Sequence, residues 1–140
     1  MTNQIHNKNI ETETVITSPI ELRQQISISD QGKENILSSR NTVEDIFLGN
    51  DDRLIVIVGP CSIHDINAAK EYALKLLTLQ REVEKSIFIV MRVYFEKPRT
   101  TVGWKGLISD PDMDNSLDVE KGLRQGRELL AWLAEKNIPT

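Results

Sequence analysis

Cysteine is nearly absent from this sequence: Cys61 is the only one among 140 residues. An internal disulfide is therefore excluded, and a reducing compartment is favoured. Long apolar runs are also missing, because the longest, around LIVIVGPC, is far shorter than the roughly 20 residues of a membrane-spanning helix. The N-terminus lacks the apolar core of a signal peptide and is too acidic for a transit peptide. These absences predict a cytoplasmic protein with no membrane partner.

An excess of positive charge is missing as well. The chain has 17 Lys and Arg against 21 Asp and Glu, a formal net charge of −4. It therefore offers no overall electrostatic attraction for nucleic acid or for an anionic membrane, and any affinity for phosphate must be local. Hydrophobic residues at 39% and charged residues at 27% indicate a soluble globular chain of one domain at most.

The patterns that are present alternate between strand and helix. Two apolar runs, LIVIV from Leu54 and IFIVMRV from Ile87, predict strands that are covered on both faces, as is typical of parallel sheets. Asp65 is placed to cap a helix between them. One face of this helix carries Ala69, Ala73, Leu76 and Val83. Together these elements predict a βαβ crossover.

Helix patterns also precede and follow this unit. Ser18, Pro19 and Glu21 form the signature of a capped helix start. A longer helix is predicted from about residue 33 to 48, with Gly49 as its C-terminal cap. The last helix is predicted from about residue 117 to 136. Its apolar face consists of Val119, Leu123, Leu130 and Leu133.

The order strand, helix, strand, helix predicts the opening of a larger α/β fold, because two parallel strands cannot cover each other. A third strand is expected to begin at Ile-Pro-Thr, residues 138–140. The pattern alone leaves two architectures open, a doubly wound sheet and a (β/α)₈ barrel. Residues 1 to about 17 predict either a disordered arm or a lone strand that borrows a partner.

Positive charge is concentrated in the loop after the second strand. Four cations, Arg92, Lys97, Arg99 and Lys105, stand against Glu96 alone. Guanidinium groups bind phosphate and carboxylate bidentately, and lysines add mobile charges, so a site for such anions is predicted. The alternative is a solvated loop. Arg92 argues against it, because this residue is predicted to lie within the apolar strand, where an unpaired charge is costly.

Cys61 and His64 lie two residues apart in the loop after the first strand. They predict at most a partial, open metal site, because a closed zinc site needs four ligands. Judged from the residues alone, Cys61 is more often a buried residue without a chemical role than a metal ligand. A Cys-His nucleophilic pair is the least favoured of the three interpretations. Trp104 and Trp132 are both expected to pack, the second in the core or at an interface.

Taken together, the segments LIVIVGPCSIHD and VMRVYFEKPRTTVGWKGLISDPDMDNS closely resemble the 3-deoxy-D-arabino-heptulosonate 7-phosphate (DAHP) synthases, in the class of aromatic-amino-acid-regulated bacterial enzymes. The resemblance runs from about Asn35 to Pro139. It implies a (β/α)₈ barrel preceded by a helical N-terminal extension. Residues 1–30 would form the regulatory or interface arm with its short helix, and residues 31–140 the first, incomplete part of the barrel.

The same resemblance implies an activity and a set of residues. The enzymes condense phosphoenolpyruvate with erythrose 4-phosphate and water to DAHP and phosphate, the first step of the shikimate pathway. Cys61 matches the family's metal ligand, which implies a divalent ion of the Mn, Fe, Co or Zn type. Arg92 matches an arginine that binds phosphoenolpyruvate, Lys97 a catalytic lysine between the two substrates, and Lys105 a lysine on the phosphoenolpyruvate side.

Further residues and partners follow from the resemblance. Pro98, Arg99 and Thr100 match the loop that holds erythrose 4-phosphate, and His64 matches a histidine of the active site. An aromatic amino acid effector, with a preference for tyrosine, and a homo-oligomer when complete are also implied. Family members are more than twice as long and carry the remaining metal ligands elsewhere, so this chain is expected to be inactive alone. The alternative is a non-catalytic chain that associates with a full-length synthase.

Overall fold

The computed structural model describes residues 13–97 and 102–140, and predictions that concern residues 1–12 and 98–101 lie outside the described residues. Residues 13–17 of the arm are neither helix nor strand. No helix in the described ranges is long and apolar enough to cross a membrane. In chain order the elements are α1 (Pro19–Gln25), α2 (Asp30–Leu48), β1 (Leu54–Val58), α3 (Ile66–Val83), β2 (Ile87–Met91) and α4 (Val119–Glu135).

The predicted βαβ crossover is confirmed. β1 and β2 pair in parallel, with Leu54 opposite Ile87 and Val58 opposite Met91, and α3 connects them. The described residues therefore form part of an α/β fold with two parallel strands. The two carboxyl ends lie side by side, so the loops that leave the strands begin next to each other.

Local capping chemistry explains where the helices begin and end. Ser18 and Glu21 form the predicted capping box of α1, and Gly49 ends α2 in a left-handed conformation with φ 76°. Asp65 accepts hydrogen bonds from the first amides of α3. The predicted start of α2 was three residues too late, because the Ser29 side chain accepts from the Gly32 amide and caps the helix there.

One core lies between the sheet and the helices α3 and α4. Its buried members include Ala73, Leu76, Ile89, Met91, Leu129 and Leu133, and Trp132 packs against them as predicted. The prediction that Leu130 lies on the apolar face of α4 is wrong, since Leu130 is exposed and Leu129 is buried. The buried side of the helix carries Gly122 and Gly126, which lie close to Leu107 and Ile108 and to Ile108, respectively.

The prediction that β1 is covered on both faces is also wrong for the described residues. The side chains of Leu54 and Ile57 are 64% and 68% exposed. The sheet has only two strands in the described residues, so one edge of β1 has no neighbouring strand there. At the other side of the sheet the Met91 amide donates to the Pro139 carbonyl at 2.7 Å. Pro139 thus lies beside β2, where the third strand is expected.

Two glutamates of α4 accept hydrogen bonds from the segment that precedes α2. Glu120 accepts from the backbone amide of Thr17 at 2.7 Å and from its hydroxyl at 2.5 Å. Glu135 accepts from the amide and the hydroxyl of Ser29, both at 2.7 Å. These donors hold the pKa of each glutamate below its usual value. The N-terminal segment is therefore attached at both ends of the helix.

Candidate active site

The candidate site lies where the two strands end. The Arg92 amide donates to the Val58 carbonyl at 2.8 Å and so continues the ladder one residue beyond β2. The Ile63 amide donates to the Tyr94 carbonyl at 2.8 Å, and the Ser62 hydroxyl to the Glu96 carbonyl at 3.2 Å. The loop after β1 and the segment after β2 therefore run together as one layer.

Arg92 is the residue that joins these two loops. It follows β2 rather than lying within it, which corrects the prediction, and it is half-buried. Its Nη1 donates to the carbonyls of Pro60 and Cys61, both at 2.5 Å, and its guanidinium lies 4.9 Å from the centre of the Tyr94 ring. The charge is thus satisfied by backbone oxygens and an aromatic face. Both carbonyls bond to Nη1, and a further side-chain hydrogen bond of Arg92 to the Cys61 thiol helps to lower the pKa of that thiol.

Cys61 is exposed and lies next to a cation. Its Sγ is 3.4 Å from the Nζ of Lys97. The hydrogen bond and charge of Lys97, followed by the charge of Arg92, lower the pKa of the Cys61 thiol. The thiolate, which is the form that ligates metals or attacks electrophiles, is favoured here. The structure therefore does not support the interpretation that Cys61 is a buried residue without a chemical role.

A short antiparallel ribbon holds the two lysines of the cationic loop. Glu96 pairs with Gly106, the Lys97 amide donates to the Lys105 carbonyl at 3.0 Å, and the Leu107 amide donates to the Phe95 carbonyl at 2.7 Å. Lys97 and Lys105 are therefore directly opposite each other, and their side chains leave the same face of the ribbon. The positive charges of two lysines in this position repel each other, and an anion bound between them would reduce this repulsion.

Hydrogen bonds of Asp110 and Trp104 fix the loop beyond the ribbon. The Asp110 amide donates to the Gly106 carbonyl at 2.9 Å, and the Trp104 indole donates to the Asp110 carbonyl at 2.6 Å. Trp104 also packs against the core, so its predicted packing role is confirmed. Asp110 is 2% exposed, and its Oδ1 has no hydrogen-bond partner among the residues that the structure describes. No sequence signal separates Asp110 from the other acidic residues of this loop.

His64 is not hydrogen-bonded to the other predicted site residues within the described ranges. It is exposed and lines a cavity of about 210 Å³ together with Ile63 and Tyr72. The neighbouring Asp65 is occupied as the cap of α3 and orients no catalytic histidine. The geometry therefore offers no support for a Cys-His nucleophilic pair.

Three predicted substrate-binding residues, Pro98, Arg99 and Thr100, lie outside the described residues. Tyr94 is a site residue that the sequence reasoning missed, and its place two residues after Arg92 was the only available signal. Within residues 13–97 and 102–140, no group of three or more His, Cys, Asp or Glu side chains is close enough to hold a metal ion. Cys61 supplies one suitable donor, and a catalytic metal normally takes three or more from protein.

Comparison with known proteins identifies close relatives. A family model described as the DAHP synthetase I family matches residues 19–138. The Tyr-sensitive phospho-2-dehydro-3-deoxyheptonate aldolase of Escherichia coli strain K12 is 50% identical over 135 residues, which are 96% of this chain and 38% of the relative. The phenylalanine-inhibited enzyme of Saccharomyces cerevisiae is 51% identical over 121 residues, 86% of this chain and 33% of the relative.

A solved structure agrees with these relatives. The phospho-2-dehydro-3-deoxyheptonate aldolase of Francisella tularensis superposes with a TM-score of 0.89 at 50% sequence identity. The match covers 94% of this chain and 38% of that one. The chain thus spans between a third and two fifths of the length of the relatives it matches.

Proposed function

Since this chain belongs to the DAHP synthetase I family, we propose that it supplies one part of the active site of a DAHP synthase. The reaction joins C3 of phosphoenolpyruvate to the aldehyde carbon of erythrose 4-phosphate, while water adds at C2 and phosphate leaves. Both substrates are phosphorylated anions. The observation that carries the proposal is the convergence of Arg92 and Lys97 on Cys61 at the ends of two parallel strands, with Lys105 opposite Lys97 in the ribbon.

Each described cation has a role that its geometry supports. Arg92 is held through Nη1 by two backbone carbonyls, and we assign its remaining N–H donors to the carboxylate or phosphate of phosphoenolpyruvate. Lys105 contacts the same substrate. Lys97 lies between Cys61 and Lys105, where its ammonium group faces both substrates and stabilises the negative charge that develops during condensation.

Other predicted residues complete the proposal without a described geometry. We assign Pro98, Arg99 and Thr100 to the binding of erythrose 4-phosphate, because they follow Lys97 directly and Arg99 adds a phosphate-binding guanidinium. His64 is assigned to the active site on the resemblance alone. The barrel and its division into an arm, residues 1–30, and a first part, residues 31–140, are proposed on the same basis.

Cys61 is proposed as one ligand of a divalent metal ion. Its accessible thiol with a lowered pKa fits a thiolate donor. When bound, such an ion supplies Lewis acidity that polarises the aldehyde of erythrose 4-phosphate. The Nζ of Lys97 lies 3.4 Å from the same sulfur.

Regulation by an aromatic amino acid in a cytoplasmic homo-oligomer is also proposed. The relatives carry Tyr-, Phe- or Trp-sensitive names. The match to the Tyr-sensitive enzyme of Escherichia coli extends over 135 residues, whereas the match to its Phe-sensitive enzyme extends over 121. The longer match favours tyrosine as the effector.

A chimera tests the proposal. The chain is completed with the part of the Escherichia coli Tyr-sensitive relative that it does not cover, and DAHP formation is measured. We expect activity, and we expect Arg92→Ala to lower kcat/KM by at least about 100-fold, the scale of lost charge-assisted contacts. Arg81→Ala on α3 is the control and should leave kcat/KM unchanged. An inactive but folded chimera, or normal turnover by Arg92→Ala, would contradict the proposed site.

A further inference from the structure

Arg92 and Tyr94 leave the segment after β2 on the same side. Val93 and Phe95, which alternate with them, both pack against the hydrophobic core. Side chains of an extended chain point alternately to opposite sides, so Arg92 and Tyr94 lie on the side away from that core. There the Arg92 guanidinium lies over the Tyr94 ring, 4.9 Å from its centre. The contact therefore follows from the order of residues in this segment.

The backbone of Tyr94 is fixed by the loop after β1. Its carbonyl accepts a hydrogen bond of 2.8 Å from the amide of Ile63, a core residue that is 2% exposed. The same loop supplies the carbonyls of Pro60 and Cys61, which accept hydrogen bonds from Nη1 of Arg92. Arg92 and Tyr94 are therefore both attached to the loop after β1.

A second arginine of the sheet shows the same type of contact in a structural role. The guanidinium of Arg53 lies 5.4 Å from the centre of the Phe88 ring, near the amino end of β2. Arg53 also forms a salt bridge with Asp51, in which Nη2 is 2.6 Å from a carboxylate oxygen. The positive charge of Arg53 is therefore balanced within the protein.

Arg92 has the aromatic ring but not the carboxylate. Within residues 13–97 and 102–140, no acidic side chain forms a salt bridge with it. An aromatic ring attracts a cation through its negative face and leaves the net charge of the pair unchanged. Tyr94 thus holds the guanidinium while its positive charge stays available to an anionic ligand.

We propose that Tyr94 is a positioning residue for the binding of phosphoenolpyruvate, and that it acts through Arg92. The inference rests on the proposed function, in which Arg92 binds the carboxylate or phosphate of this substrate. Arginine has a long side chain that loses conformational entropy when it is fixed. The ring and the two carbonyls fix it before the ligand arrives, so less entropy is lost on binding. The face of the ring carries this role, and the phenolic hydroxyl does not.

Equilibrium binding tests this inference. Phosphoenolpyruvate is titrated by isothermal calorimetry into the chimera described above, without erythrose 4-phosphate, so the measurement does not depend on turnover. Tyr94→Leu removes the ring but keeps an apolar side chain, and we expect Kd to rise about tenfold. Tyr94→Phe keeps the ring and should bind within about twofold of the parent. The matched control, Phe88→Leu, removes the ring at Arg53 and should leave Kd unchanged.

A double-mutant cycle separates a positioning role from a direct contact with the substrate. In the Arg92→Ala background, Tyr94→Leu should have no further effect on Kd, because Tyr94 then has no guanidinium to hold. Tyr94→Met, which also lacks a ring, should repeat the loss seen with Tyr94→Leu, and circular dichroism should be unchanged in both variants. Additive effects in the cycle, an unchanged Kd for Tyr94→Leu, or equal losses for Tyr94→Leu and Tyr94→Phe would each overturn the inference.

The outcomes also distinguish this inference from the proposed function. If Arg92→Ala raises Kd and Tyr94→Leu does not, the proposed function stands and the positioning role of Tyr94 fails. A folded chimera in which Arg92→Ala leaves Kd unchanged would contradict the proposed phosphoenolpyruvate site and this inference together.

Discussion

Gly59 lies against the backbone of Arg92 so closely that no side chain fits between them. A Cβ at residue 59 would be 2.5 Å from the Arg92 carbonyl oxygen and 3.0 Å from the Arg92 Cβ. Glycine at this position lets the loop after β1 approach the end of β2. The same approach brings the carbonyls of Pro60 and Cys61 onto Nη1 of Arg92. Gly59 thereby determines where the guanidinium of the proposed phosphoenolpyruvate site lies.

Gly59→Ala should therefore displace Arg92 while leaving its charge in place. Overpacking of this kind costs about 1–3 kcal/mol, and the strain can be relieved only by moving the two backbone segments apart. In the completed chimera we expect KM for phosphoenolpyruvate to rise by at least about tenfold, which corresponds to roughly 1.4 kcal/mol. Steady-state kinetics measure it. An unchanged KM would show that the position of Arg92 does not depend on Gly59.

Gly106→Ala should disrupt the ribbon that holds the two lysines. Gly106 has φ 115°, and a Cβ there would collide with the Phe95 carbonyl and come within 2.7 Å of the Glu96 Cα. We expect kcat of the chimera to fall by at least about tenfold, because Lys97 loses its fixed place. Gly49→Ala is the control: its φ is also positive, but its Cβ would meet open space far from the site. Equal kcat for both variants would contradict the role of the ribbon.

The elements that the sequence predicted are those fixed by local chemistry. Ser18 and Asp65 act as caps through atoms a few residues away, and the apolar runs at Leu54 and Ile87 have the predicted parallel pairing. The exposure of Ile57 could not be predicted in the same way, since burial of a strand depends on neighbours that the strand's own sequence does not specify.

The candidate site was predicted in its residue types but not in its contacts. The excess of cations indicated Arg92 and Lys97, and the family resemblance favoured Cys61 as a metal ligand, which the residues alone had left as the less favoured interpretation. The stacking of Tyr94 on Arg92 and the bond of Trp104 to Asp110 depend on how the loop folds back, which no spacing in the sequence encodes. The sequence likewise gives no sign of the contacts of Glu120 and Glu135, because these depend on the fold, which brings Thr17 and Ser29 next to them.

The reactivity of Cys61 should depend on Lys97. Because the ammonium of Lys97 lowers the pKa of the thiol, the thiolate forms at lower pH than for an ordinary cysteine. Lys97→Met removes the main cause, so the midpoint of the pH profile for alkylation by iodoacetamide should move upward. Alkylation at pH 7 should slow accordingly. Lys75→Met on α3, whose lysine pairs with Glu71, is the control and should not move the midpoint.

The attachment of the N-terminal segment to α4 should be lost in acid. Ser29 donates two hydrogen bonds to the Glu135 carboxylate and lowers its pKa below the ordinary value of 4.5. A carboxylate whose pKa is lower in the folded state than in the unfolded state stabilises the folded state fully at pH values above its unfolded-state pKa. This stabilisation disappears as the pH falls through its folded-state pKa. Hydrogen exchange of the Ser29 amide should therefore lose protection as the pH falls through the folded-state pKa of Glu135, which lies below 4.5. Glu135→Ala, which removes both acceptor oxygens, should lose it already at neutral pH, and retained protection would contradict the attachment.

The 140-residue chain alone should not form DAHP. Cys61 is the one thiol, and no cluster of three or more metal-binding side chains occurs in the described residues. A catalytic metal ion that keeps fewer than three protein ligands is held too weakly and without defined geometry. We therefore expect no DAHP from phosphoenolpyruvate and erythrose 4-phosphate with any of Mn²⁺, Fe²⁺, Co²⁺ or Zn²⁺, when the chain is purified from a host without its own synthase. Turnover that a chelator abolishes would show that the chain supplies a complete metal site.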